Sequence, residues 1–506
     1  MIRLPTLAFA LLGLFAGPPA RRAWADEVIE DPELGGEPLA EPSPPPAQVP
    51  AGRQGSLSIV GSTRLAVDTD WDEDNGEDVS EWRTRLDLEI GQPLGERARA
   101  FAAGRLEHAL RARPEEMVLH ARGAFEARLL DAYLDARVGP LDVRAGNQFI
   151  GWGRVDTLSA GDFWNPPDLR EGFGGGVESL PVVPVPALRV EGRTGGVGLQ
   201  AAWQPFFVPM RADVFGTDTA LLGPGAPAGF RGLFDRVRPL IDDSIVDHVQ
   251  DQLLVSELPE ENLSSGQVGT RATVTLGESE IAASAFLGYE KIPTVWMSPE
   301  LRSALDSPED PTAWLPVVEA LQTGKDVLRS RYERYVQLVL DGETPAGGFL
   351  VKWEVGYTPE RTVYVRDDAE CRIPCAARRG LVQGAAHLEK VEDDWQAQVE
   401  VFAVAATDGP GQTEGAELVF LGPGRSAVGA SALVRWSPQS GDLGLEASTL
   451  TIAPGLSAAV SARAWLRLTD ALRLEGGAVV AEAPSDGALA NLDPSDLVWV
   501  GLRARY

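Results

Sequence analysis

The stretch "DLVWVGLRARY", residues 496–506, decides how the whole chain is read. Leu502, Ala504 and Tyr506 alternate with Gly501, Arg503 and Arg505, so one face is apolar and the other charged. That is the period of a β-strand, and it runs to a final aromatic ring. The same alternation recurs upstream. In "WRTRLDLEI" (82–90), Trp82, Thr84, Leu86, Leu88 and Ile90 share one face, against Arg83, Arg85, Asp87 and Glu89. In "GLSAAVSARAWLRL" (455–468), Leu456, Ala458, Val460, Ala462, Ala464, Leu466 and Leu468 oppose Ser457, Ser461, Arg463, Trp465 and Arg467. Each segment is about ten residues long, the length with which a tilted strand crosses a bilayer's hydrocarbon.

Reading every such segment between 56 and 506 predicts about eighteen strands, with sixteen as the neighbouring even count. Their connections alternate in length. Turns such as "GP", "GES", "VEDD" and "TDA" separate one set of neighbours; the other set is mostly joined by the long stretches 68–81, 152–186, 206–266, 290–330, 359–379, 406–426 and 483–495, with the short "APG" at 453–455 as the exception. A soluble sandwich has no reason to sort its connections this way. A spanning sheet must close on itself because lipid offers no partner to free N–H or C=O groups. Bacterial barrels pair short turns on one side with long loops on the other. The expected fold is therefore an all-β, closed antiparallel transmembrane β-barrel over residues 56–506, with long outer loops that carry short helices. In such a barrel the last strand pairs with the first and Tyr506 sits at the interfacial depth that aromatic rings favour.

The start of the chain fits an extracytoplasmic protein. Residues 1–25 combine Arg3, an apolar core and an Ala23-Trp24-Ala25 cleavage pattern, the layout of a signal peptide. Residues 26–55 are Pro- and Glu-rich and read as an extended periplasmic lead-in. The formal charge is −29, and loss of the leader's three arginines makes it −32. Such acidity argues against a nucleic-acid partner. Cys371 and Cys375, the two cysteines, are close enough in "CRIPC" to suggest a small disulfide at a loop tip.

The segment "RAGNQFIGWGRVDTLSAGDFWNPPDLRE" (144–171) carries Trp152, Asp156, Asn165-Pro166 and Asp168. This run resembles a family of Gram-negative outer-membrane barrels of undetermined function, some of which accompany export systems for hydrophobic compounds. "GNQFIGWGRVD" is also similar to the corresponding strand of alginate-export-type porins. Physically, Asn165-Pro166-Pro167-Asp168 is a stiff turn, able either to form a constriction in the lumen or simply to close the rim. Trp152, Asp156, Asn165 and Asp168 are the constriction candidates.

On the faces assigned to the lumen, Arg64, Arg83, Arg85, Arg463, Arg467, Arg473, Arg503 and Arg505 outnumber Asp87, Glu89 and Glu475. Closure makes these strands neighbours. Two readings stay open: a basic wall that favours anions, or an arginine–carboxylate ladder that braces the barrel. In the acidic loop 68–81, Asp70, Asp72, Asp74 and Glu81 follow part of a calcium-loop spacing, but Asn75 replaces the expected glycine. A solvated acidic tip is the default, and no other cofactor is expected. "DDSIVDHVQDQLL" and "DPTAWLPVVEALQTGK" read as helical stretches in the long loops. The four histidines sit in no catalytic motif, so no enzyme is expected.

The expected function is a porin-like outer-membrane channel, monomeric or homotrimeric, with both termini periplasmic. Its partners would be membrane lipid, a diffusing solute and the barrel-assembly machinery. A loop-plugged transporter of lipid-like compounds is one alternative. A secreted or surface β-rich adhesin or carbohydrate-binding protein is the other.

Overall fold

In the computed structural model, the described residues are 55–68, 80–112, 125–171, 181–212, 257–307, 310–367, 371–407, 417–418, 426–438, 441–453, 455–483 and 496–506. Among them, eighteen strands form one closed antiparallel barrel. In chain order they begin with β1 (Ser56–Asp68), β2 (Ser80–Pro93), β3 (Ala98–Ala112), β4 (Phe125–Val138), β5 (Leu141–Gln148) and β6 (Val185–Thr194). Next come β7 (Val197–Gln204), β8 (Gln267–Leu276), β9 (Ser279–Tyr289), β10 (Arg334–Ala346), β11 (Phe349–Asp367) and β12 (Cys371–Val391). The last six are β13 (Trp395–Thr407), β14 (Ser426–Trp436), β15 (Leu443–Ala453), β16 (Ser457–Thr469), β17 (Leu472–Glu482) and β18 (Leu497–Arg505).

Closure reaches the final residue. β18 pairs with β1 from Asp68↔Leu497 to Val60↔Arg505, and the Tyr506 N–H donates to the Ile59 carbonyl at 2.9 Å while Ile59 N–H returns the bond at 3.1 Å. No free strand edge is left at the seam, which is the condition for a sheet in lipid.

Polarity is inverted relative to a soluble protein. Leu57, Trp82, Leu134, Val401 and Val500 point outward and are exposed, whereas Arg105, Arg271, Glu354 and Asp341 point inward and are buried, Asp341 completely at 0%. Charged side chains are fully buried only where partners await them, and a wide apolar exterior needs a nonaqueous surround. This closed cylinder with a greasy outside is not the open or two-layered sheet that a soluble adhesin would require.

One predicted connection proves to be sheet. Residues 359–379 were expected as a loop, but β11 and β12 continue pairing through Arg361↔Arg379 to Asp367↔Cys371. The hairpin therefore rises beyond its neighbours, where no lipid demands an apolar face. The side chains of Cys371 and Cys375 lie outside the described set, as do Asp70, Asp72 and Asp74 of the acidic loop. The stretch 310–325 does form a short helix, Pro311–Trp314 followed by Leu315–Gln322, with Val317, Val318 and Leu321 buried. The other helical candidate, 242–254, lies outside the described residues.

Above β9, at the long-loop rim, Lys291 is buried with its Nζ 3.0 Å from Gln267 Oε1 and between the rings of Phe207 and Phe286. Burial alone pulls its pKa down to about 7. Because an unfolded lysine titrates near ~10.4, the unfolded chain holds a proton that the folded one lacks between these values, so stability rises with pH across that window. Lys291→Met keeps the apolar stem and removes the amine. It is expected to stabilise the rim segment 290–332 by about 1–3 kcal/mol at pH 6, with the gain shrinking above pH 7. Amide exchange of that segment at pH 6 and pH 9 checks it.

Candidate functional site

The stretch between β5 and β6 turns into the lumen, and local chemistry makes it do so. Gly146 sits at φ +136, and a Cβ there would lie 2.2 Å from the Ala132 carbonyl oxygen. An extra residue in β4 opposite β3, between Leu129 and Ala132, forms a bulge. Such bulges re-aim side chains: Asp131 accepts the Phe149 N–H at 3.2 Å, and Asn147 donates to the Leu130 carbonyl. The chain is thereby peeled off the wall at its first loop residue.

The base of this loop is held by its own stiff turn. Asn165 accepts the Ile150 N–H and donates to the Val183 carbonyl, both at 2.9 Å, tying outgoing and returning legs together. Asp168 binds Arg170 at 2.6 Å and Arg128 of β4 at 3.2 Å, and Arg170 reaches Glu126 at 2.8 Å. Trp152 meets Phe163 and Trp164 edge-to-face, Phe163 stacks on Phe286 of β9, and Trp164 meets Phe286 edge-on. With Val185, Ala187, Ala202, Tyr335 and Val339 they form an apolar core inside the barrel. The inward positions Val185, Ala187, Ala202, Phe286, Tyr335 and Val339 are thus apolar because this loop covers them.

The far part of the loop lies against the opposite wall. Glu354 of β11 accepts the N–H groups of Arg154, Val155, Ala160 and Gly161 and the Ser159 hydroxyl. Glu400 of β13 accepts those of Asp156, Thr157 and Leu158 at 2.8, 3.0 and 3.2 Å. Thr157 also meets Ser431 of β14 at 2.5 Å. The Arg154 side chain bonds Asp341 at 2.6 Å, Glu343 at 2.7 Å, and Glu280. Burial pulls the Arg154 pKa down, but Glu343, Asp341 and Glu280 more than offset this and hold it above its ordinary value. Arg271 of β8 completes the group, bidentate on Asp341 at 2.6 and 2.7 Å and donating to the Trp152 carbonyl at 2.8 Å. Beneath it, His387 lies 3.3 Å from Glu400, 3.8 Å from Asp156 and 3.7 Å from Glu389, and Lys352 bonds Glu389 at 3.0 Å.

All four constriction candidates therefore lie within the barrel, in different roles. Trp152 is core, Asn165 and Asp168 fix the base, and Asp156 belongs to the far part. Glu354, Glu400, Asp341, Arg154 and Arg271 were not foreseen. For those on strands the one signal was charge on an inward face, as in Lys352 and Glu354 of "VKWEVGYT".

The arginines of β16–β18 and β1–β2 do face inward, and most are braced. Arg83 binds Glu81 at 2.6 Å, Arg85 binds Glu107 at 2.7 Å, and Asp87 takes Arg105 at 2.6 Å. Arg64 is 3.9 Å from Glu81, Arg463 is 3.3 Å from Glu446, and Arg473 holds Glu475 at 2.7 Å. Glu89 opposes Ser58 on the inner face. Glu81 thus spends its carboxylate on arginine. Arg467, Arg473 and Arg503 are register neighbours across β16, β17 and β18. Arg467, Arg503 and Arg505 form no ion pair among the described residues, which concentrates unneutralised charge at the short-turn ends of these strands.

Solved structures align with most of the chain at very low identity. OccAB1 of Acinetobacter baumannii aligns over 91% of this chain and 99% of its own, with 8% identity and a TM-score of 0.48. OccK5 (OpdH) of Pseudomonas aeruginosa aligns over 89% and 97%, with 9% identity and a TM-score of 0.45. A BenF-like porin from Pseudomonas fluorescens Pf-5 aligns over 90% and 97%, again with 9% identity and 0.45. No curated protein sequence matches the chain. Residues 99–415, well over half of the chain, match the family described as "Protein of unknown function (DUF1302)", and the chain belongs to that family.

Proposed function

We propose that the protein is a porin-like channel of the bacterial outer membrane, with both termini periplasmic, through which small solutes diffuse. The observation that carries this reading is a closed barrel whose charged side chains all but line the inside. The contacts of the loop 149–171 run from β4 to β14, and the arginine arc of β16–β18 and β1–β2 lies across from them. Solute would pass between the two, and the unpaired arginines at the short-turn end would favour anions. No cofactor is needed for diffusion. A second reading, transport of hydrophobic compounds, draws on Phe402, Leu433, Leu450 and Ile452, which face inward on β13–β15.

Planar-bilayer recording of the purified protein tests both. The channel reading expects discrete conductance steps and an anion preference in a salt gradient. Arg467→Glu with Arg503→Glu is expected to cut the anion-to-cation permeability ratio by roughly threefold or more. Arg83→Glu, by contrast, would break a brace. Folded protein without current steps would favour the hydrophobic-compound reading, and unchanged permeability in the double variant would remove the role of the arginines.

A further inference from the structure

The lumenal loop is attached in two unlike ways, and its far part is a separable unit. Residues 153–161 leave and re-enter at a single neck. A Cβ on Gly161 would lie 2.8 Å from Gly153 N and 3.0 Å from the Trp152 carbonyl carbon, while one on Gly153 would strike the Ser159 hydroxyl. Only glycine allows the two ends to touch, so nine residues form a compact tip on a narrow stalk. The base below the neck is embedded in aromatic side chains. The tip buries Val155, Leu158 and Ala160 and is tied to the wall by polar contacts.

Two carboxylates supply most of those contacts. Glu354 and Glu400 together accept seven backbone N–H groups and one hydroxyl from the tip. The amides converge on each carboxylate as a nest does on an anion. Gly356, two residues along β11 from Glu354, leaves the space that the Ala160 methyl occupies, since a Cβ there would come within 2.6 Å of it. The wall is thus shaped as well as charged to receive the tip. A carboxylate is required rather than an amide. Glutamine would keep one acceptor oxygen and turn an NH2 toward inward-pointing N–H donors.

We propose that Glu354 and Glu400 are positioning residues of the transport pathway: they clamp the tip 153–161 against β11–β14 and so set the free cross-section along the arginine arc. This rests on the channel reading. Without the clamp the tip pivots at the Gly153–Gly161 neck while the aromatic base stays in place.

The test pairs amide hydrogen exchange with single-channel recording on the full protein, wild type against Glu354→Gln/Glu400→Gln. Amides in 153–161 are expected to exchange roughly 100-fold faster in the double variant, with 163–169 unchanged. Mean conductance is expected to shift by about 1.5-fold or more, with added current fluctuation. Glu400→Gln alone, the milder change, should accelerate 156–158 and spare 160–161. That variant keeps the question decidable if the double variant does not fold. Unaltered exchange in the tip overturns the clamp. Faster exchange with unchanged conductance overturns the pathway role, because the tip would then move outside the route. A folded wild type that passes no ions overturns the channel reading itself and the pathway role with it, whereas a conducting wild type confines any failure to the clamp.

Discussion

Asp341→Ala is expected to destabilise the barrel by about 3–5 kcal/mol, the cost of leaving a buried cation without its partner. Asp341 is fully buried and bonds three donors: both Arg271 terminal nitrogens and Arg154 Nε. Arg271 is itself only 6% exposed, so its charge could not recover water if the carboxylate left. Arg154 would fare better, because Glu280 and Glu343 remain. The burden therefore falls on Arg271, and the companion variant follows from that. Arg271→Met with Asp341→Leu removes both charges and should lie within about 2 kcal/mol of wild type, since apolar replacement of a buried pair is often close to neutral. Equilibrium unfolding in detergent or lipid vesicles measures both. A single variant as stable as the double would show that the cluster is wet enough to solvate a lone guanidinium.

This cluster also marks where the sequence stops being informative. The strands were legible because hydrocarbon on one side and charge on the other impose a period of two, which local reading detects. The expected number, about eighteen, matches the barrel. The pairing of Tyr506 with Ile59 follows from the same logic. Signals faded wherever lipid stopped imposing them. The upper parts of β11 and β12, residues 361–367 and 371–379, read as loop although they are sheet. Contacts across the lumen are invisible for another reason. Arg154 and Glu354 are two hundred positions apart, and no periodicity links the tip of one loop to a residue on the far wall. The stiffness of Asn165–Asp168 was readable; the direction in which it sends the chain depended on Gly146 and the bulge in β4. The arginine wall was half-read for a simple geometric cause. Its counter-charges Glu107 and Glu446 sit on strands flanking the arc that was counted.

Trp164→Ala is the second large effect expected, a loss of about 3–5 kcal/mol through the cavity it opens. Trp164 is 0% exposed, and its ring meets Trp152 at 5.3 Å, Phe286 at 5.0 Å and Phe163 at 6.0 Å. Its neighbours are fixed to a rigid cylinder and cannot collapse inward, so little of the void would be refilled. Its indole Nε1 has no hydrogen-bond partner among the described residues. Trp164→Phe consequently forfeits volume but no hydrogen bond, and should cost only about 1–2 kcal/mol. That contrast separates packing from polarity at one position. It also locates the base of the loop energetically, because Trp164 touches the wall near Gly269, where a Cβ would come 2.7 Å from its ring. If stability resides in this aromatic base, Trp164→Ala should speed amide exchange in 163–169, the segment that the clamp variants leave unchanged. Equal effects of the alanine and phenylalanine variants on unfolding would mean that the indole's full size or its N–H, rather than the packing of an aromatic ring, holds the loop in the lumen.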